Sequence, residues 1–139
     1  MKLSAKTEYG CLALLHLAER HALGEPVQIR KVASEHDIPW RFLVQILLEL
    51  KRAGLVNSTR GAAGGYRLAR PPEEIDLAEV TDALEGTDEP TCRPASGFRS
   101  AVYSACQEAH EAHREHLASL SLVDLLERAG GKHEPMWYI

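Results

Sequence analysis

The sequence predicts a mainly α-helical fold with a small β-hairpin wing: a winged helix-turn-helix followed by a long C-terminal dimerisation helix. Three observations predict it. Two short helical patterns separated by a tight turn run straight into a Gly-rich hairpin pattern. Charge divides the chain, with 11 Lys/Arg against 6 Asp/Glu in residues 1–72 and 5 against 14 in residues 73–139. A late helical pattern from Gly97 to Leu120 carries an apolar stripe that so small a domain cannot bury by itself.

The first helix is expected over about Thr7 to His21. Tyr9, Leu12, Ala13, Leu15 and Leu17 fall mostly on one side of a 3.6-residue period, and Gly24 and Pro26 stop it. Val27-Gln28-Ile29 reads as a short extended link. A second helix covers about Arg30 to His36 and ends near Asp37. A third starts at Pro39, whose fixed φ suits a first helical turn. It runs through Phe42, Leu43, Ile46, Leu47 and Leu50 to Gly54. Leu55 to Ser58 and Tyr66 to Leu68 then read as two strands around the turn Arg60 to Gly65. Asp76 to Glu85 is a compact helix closed by Gly86, and Thr87 to Ser96 is irregular. On the long helix, Phe98, Val102, Ala105, Ala109 and Ala112 step at three and four, as on a helix packed against a partner helix. A last helix covers about Leu122 to Ala129. The expected organisation is a DNA-binding domain at 1–72, a linking helix and sensor loop at 73–96, and a dimerisation helix with a C-terminal segment at 97–139. A dimer buries the unpartnered stripe.

Composition narrows the function class. At 139 residues and 45% hydrophobic content the chain supports one core. No window reaches the roughly 18 apolar residues of a membrane span, so no membrane partner and a cytoplasmic location are expected. Cys11, Cys92 and Cys106 are too scattered for a disulfide framework and suit free thiols or metal ligands. There is no nucleophile–base constellation, and the glycines at 61, 64 and 65 lack the following helix of a phosphate loop, so no enzyme is expected. A positive front half and an acidic rear half fit a protein that meets a polyanion with one end.

That polyanion is duplex DNA on the helix-turn-helix pattern. The second helix of such a motif enters the major groove with its N-terminal residues towards base edges. This places Pro39, Trp40, Arg41 and Gln45 nearest the DNA, with Arg41 suited to guanine or phosphate and Gln45 to adenine. Trp40 fits a DNA contact or a half-buried packing residue equally well. Lys51 and Arg52 suit phosphates. In the wing, Arg60, Gly64, Gly65 and Arg67 combine basic ends with small residues that let the backbone approach DNA, although a tight hairpin asks for glycine anyway.

The segment from Ala33 to Gly86, with "GLV-x-S-x-RG-xx-GGY-x-LAR" after the helix-turn-helix, closely resembles the IscR/NsrR regulators of the Rrf-two superfamily. "MKLSAKTEYG" and "LASLSLVDLL" extend the resemblance over nearly the whole chain. It implies a homodimer that exchanges long helices and binds near-palindromic operators, usually as a repressor. Val44 stands where relatives often carry Glu, which points to a different operator.

Many of those relatives hold an iron–sulfur cluster on three cysteines. The resemblance places the first at Cys92, finds no thiol from Pro94 to Phe98, and puts the third position on Ser100, six residues before Cys106. The standard three-cysteine site is absent, but some relatives use two cysteines plus oxygen or nitrogen ligands, with a carboxylate where Glu8 stands. Cys92 and Cys106 of one subunit with Glu8 and Cys11 of the other would then make four ligands for a [2Fe-2S] cluster. His110 substitutes for the fourth ligand, with His113 behind it. Each residue also has a plainer reading. Cys106 and Cys11 fit as small packing residues, Glu8 fits the dipole of a helix start, and His110, His113 and His116 fit an exposed polar face. Zinc on a Cys/His subset, or a cluster-free regulator answering through thiols, a metabolite or a partner protein, are the other readings of the sensor.

Overall fold

A computed structural model describes residues 2–87 and 96–137, with side chains described as far as Gly130. Eight regular elements follow in chain order: α1 (Ala5–Glu19), α2 (Ile29–His36), α3 (Trp40–Arg52), β1 (Val56–Thr59), β2 (Gly65–Leu68), α4 (Leu77–Glu85), α5 (Gly97–Ala118) and α6 (Leu122–Trp137). Helix, helix, helix, hairpin is the winged helix-turn-helix that the sequence predicts.

α1 runs through the centre. Ser4 caps it by accepting the Thr7 N–H at 3.1 Å, so the helix opens two residues earlier than its periodicity suggests. Leu14 and Leu17 pack with Val32 of α2 and with Leu43, Ile46, Leu47 and Leu50 of α3; Val56 and Leu68 of the hairpin, Val80 and Leu84 of α4 and Leu122 of α6 close the same core. At Gly10 α4 approaches α1 closely, since a Cβ there would overlap the Leu84 side chain. His21–Leu23 forms one 3-10 turn rather than the end of α1, and Pro72–Glu74 forms another.

The turn between α2 and α3 rests on Asp37, held in the left-handed region at φ 53°, with the Ile38 N–H on Ala33 O at 2.9 Å. Asp tolerates that conformation better than most residues because its short polar side chain bonds locally. Pro39 is the N-cap of α3 and lies one residue outside the helix, not in its first turn; its ψ of 124° is extended. At the other end Gly54, at φ 78°, donates to Lys51 O and Leu55 donates to Leu50 O, both at 3.0 Å. That reciprocal pair ends the helix and turns the chain directly into β1.

β1 and β2 pair antiparallel with Val56 opposite Leu68 and Thr59 opposite Gly65. Val27 adds a third, single-residue strand to the hairpin, exchanging two N–H···O bonds of 2.8 Å with Tyr66. The wing is thereby fastened to the residues just before α2.

α4 is capped by Asp76, and its start is tied to the start of α6 by Leu77 N–H to Leu120 O and Leu122 N–H to Ile75 O, each 2.9 Å. α5 differs from every other helix. None of its 22 residues is buried, Phe98 is 95% exposed and Val102 61%. Arg114 anchors it to α4 through a paired contact with both carboxylate oxygens of Asp82 at 2.6 and 2.5 Å. Among the described residues no helix is long and apolar enough to cross a membrane.

Candidate nucleic-acid interface

α3 turns its apolar side inward and leaves Trp40, Arg41, Gln45, Lys51 and Arg52 exposed. Pro39 precedes them, also exposed, at the N-cap. The sequence-predicted recognition residues therefore share the outer face, and the helix start, with its unpaired N–H groups, is open to an anion. Trp40 is 44% exposed, and the Arg30 guanidinium lies 5.5 Å from its ring centroid. That cation–π contact holds Trp40 beside a positive charge at the head of the helix.

A groove of about 420 Å³ separates this helix start from the wing and is lined by Gln28, Arg30, Trp40, Arg60, Gly64 and Gly65 among others. It brings together four residues that the sequence singles out: Trp40, Arg60, Gly64 and Gly65. Gln28 and Arg30 were missed, because they precede the recognition helix and only the folded chain sets them against it. Gln28 reaches across to the wing, donating to Ala62 O at 3.4 Å.

The two glycines have structural reasons to be there. A Cβ on Gly64 would overlap the Thr59 carbonyl, and one on Gly65, at φ 154°, would overlap the carbonyl of Val27. Both positions are filled by backbone, so glycine is required to close the hairpin and to seat it on Val27. The outer bases of the wing separate. Arg60 lines the groove, whereas Arg67 pairs across the hairpin with Asn57 and points at the Gly24 carbonyl, 3.5 Å away, in a different cleft. Strand alternation puts Arg67 on the face opposite Tyr66. Lys51 donates to Ser58 Oγ at 2.6 Å, bracing the end of α3 against β1.

Among the described residues, Glu8, Cys11, Cys106 and His110 do not form a common ligand group within one chain. Glu8 is exposed on α1, and Cys106 is exposed on α5 with His110 one turn later. Cys11 packs against the core, and burial pushes its thiol up to about 11. Cys92 lies outside the described residues. His110 lines a cleft of about 570 Å³ with Lys2, Ser4, Thr7, Asp82, Glu85 and Arg114. There the Ser4 and Thr7 hydroxyls donate to Glu85, which lowers its carboxyl below the ordinary range. Glu8 and Cys106 are exposed and His110 is half-buried, whereas Cys11 is partly buried against the core.

Comparison with known proteins matches residues 3–128 to the model of the Rrf2 family, described as "Iron-dependent Transcriptional regulator". The HTH-type transcriptional regulator CymR of Bacillus subtilis is 33% identical over 140 residues, covering 100% of both chains. The solved structure of that protein, named the global cysteine regulator of B. subtilis, superposes with a TM-score of 0.80 at 30% identity, covering 92% of this chain and 98% of that one. The structure of T. potens IscR gives 0.75 at 31% identity over 93% and 88% of the two chains. These relatives are named as regulators and not as enzymes, in agreement with the absence of a catalytic constellation in the sequence. A recognition helix and wing facing one groove are the working parts of such regulators, and the chain belongs to the Rrf2 family of DNA-binding transcriptional regulators.

Proposed function

We propose that the chain works as a homodimeric repressor that reads duplex DNA with the first turns of α3 and grips the sugar-phosphate backbone with the wing. The observation that carries this reading is the groove bordered by Arg30, Trp40, Arg60, Gly64 and Gly65, with Arg41 exposed next to Trp40 in the first turn of α3. Arg41 and Gln45 reach base edges from the exposed face of α3, and Arg60, Lys51 and Arg52 meet phosphates. α5, none of whose residues is buried in one chain, packs against its counterpart in the second protomer.

For the sensor, the reading favoured is a two-iron cluster held by Cys92 and Cys106 of one protomer and Glu8 of the partner subunit, with Cys11 of the partner subunit or His110 in the fourth place; Glu8 and Cys106 are both exposed. When bound, such a cluster supplies a one-electron couple whose potential follows the oxygen or nitrogen ligand. Cys106 and Glu8 stand on the elements that a dimer brings face to face, so a change there alters the spacing of the two DNA-binding heads. The second reading is a cluster-free regulator, and the cleft beside His110 favours it. Lys2 and Arg114 together with Asp82 and Glu85 line that cleft with both signs of charge, as a small polar metabolite requires.

An anaerobic absorption spectrum of the freshly purified chain, with iron and sulfide assayed, separates the two. Bands between roughly 320 and 500 nm with about two irons per site, lost in Cys92→Ala, are the expected result for the cluster. A colourless, iron-free protein that still binds DNA contradicts the cluster reading and moves the signal to the cleft or the thiols.

A further inference from the structure

A cluster of donor side chains joins the end of α1 to the end of α2 and takes no part in the DNA-reading face. His16, in the last turn of α1, is only 4% exposed and sits among Ala13, Leu14, Leu17 and Ala18. His36, the last residue of α2, is half-buried, and Glu35 beside it is exposed. His16 Nδ1 lies 3.0 Å from His36 Nε2 and 3.3 Å from Glu35 Oε2. The rings meet edge to face with centroids 5.1 Å apart. All three donor atoms fall within 4.8 Å of one another, and no other such trio occurs among the described residues.

A hydrogen-bonded arrangement uses these atoms poorly. With both rings neutral, a single proton on Nδ1 has to serve both the facing imidazole nitrogen and the carboxylate. A cation at the centre of the trio satisfies all three lone pairs at once. Bonds of about 2.0–2.1 Å in a tetrahedral site separate neighbouring donor atoms by roughly 3.3 Å, close to the two spacings observed here.

We propose that His16, Glu35 and His36 form a binding site for a divalent transition-metal ion of the zinc class, with water completing the coordination on the exposed Glu35 side. Two imidazoles and one carboxylate suit zinc, cobalt or nickel and not magnesium or calcium, which take oxygen sets. Coordination through Nδ1 places the remaining proton of His16 on Nε2, which is buried with no hydrogen-bond partner. The outer hydrogen bond that normally orients a metal-bound imidazole is missing, at a cost of about 10–100-fold in affinity. The ion ties α1 to the first helix of the helix-turn-helix, and so couples metal supply to the stiffness of the DNA-binding head. Neither Cys11 nor Cys106 belongs to the trio, which separates this site from those two thiols.

The test is a titration of the untagged full chain, stripped with chelator and kept reduced, with cobalt(II) followed by zinc displacement. The expected result is one cobalt per subunit with visible ligand-field bands, no near-ultraviolet thiolate charge-transfer band, and discharge by zinc. His36→Ala and Glu35→Gln are each expected to weaken binding at least about 10-fold while the metal-free proteins melt as the parent does. His16 is left intact because its substitution disturbs the core. Absence of binding overturns the proposal. So does a thiolate band accompanying the bound cobalt, or an affinity unchanged in both variants, which would place the metal on the cysteines or on the histidines of α5.

Discussion

Glutamate at both Phe98 and Val102 is expected to convert the protein into a monomer and to lower operator affinity by about 100-fold or more. In one chain these side chains are 95% and 61% exposed, and the helix that carries them buries no residue at all. The double substitution therefore removes nothing from the core of the protomer. In a two-fold interface each contact is made twice, and burying each Phe or Val stabilises by about 1.5–3 kcal/mol. Charges facing their own copies add repulsion. Loss of the second DNA-binding head removes the effective concentration that links two half-sites, typically worth 10²- to 10⁴-fold. Sedimentation velocity with binding isotherms checks both effects. A variant that stays dimeric at micromolar concentration contradicts the assignment of α5 to the dimer interface.

Gly65→Ala is expected to lower the melting temperature by about 5–15 °C and to weaken DNA binding even where the variant is folded. The added Cβ meets the Val27 carbonyl, which is backbone and cannot step aside, at a φ of 154° that side chains rarely adopt. Overpacking and backbone strain each cost about 1–3 kcal/mol, and each kcal/mol moves the midpoint of a domain this size by a few degrees. The alternative open to the chain is to release the Val27–Tyr66 pairing and let the wing swing away from α2. That opens the groove in which Arg60 faces Trp40. A melting curve superimposable on the parent's would show that the wing is not seated on Val27.

Much of this was legible in the sequence because local chemistry and the fold agree. The apolar steps of Leu43, Ile46, Leu47 and Leu50 identify the buried side of α3 without any tertiary neighbour being known. Gly54 marks its end, and Gly61 to Gly65 mark the hairpin. Phe98 and Val102 announce an unpartnered helix, and that is how the structure leaves them. Features that depend on distant residues were not legible. Val27 joins the wing as a single residue, too short to show a strand period. Pro39 reads as a first-turn residue but caps the helix instead, one position outside it. Gly64 and Gly65 read as room for DNA, yet the atoms that exclude a side chain there belong to Thr59 and Val27. Arg60 and Arg67 look equivalent in sequence, while strand alternation turns Arg67 towards Gly24. Cys11 looks like a neighbour of Glu8 on one helical face, but it packs against the core. Nothing in the sequence pairs His16 with Glu35 and His36 twenty residues on; only the packing of α1 against α2 does.

The central claim, that α3 and the wing hold the phosphates of duplex DNA, is tested most directly by the salt dependence of binding. Affinity for a duplex obtained by selection from random sequence would be measured over a range of salt for the parent, Arg60→Ala, and Arg128→Ala, at an exposed position of α6, as a control. The expected result for the parent is a steep linear fall of log affinity with log salt. Arg60→Ala, with one phosphate per head no longer neutralised, is expected to show a slope shallower by about one for each such phosphate, and Arg128→Ala an unchanged slope. Equal slopes for parent and Arg60→Ala, or binding insensitive to salt, would contradict the account.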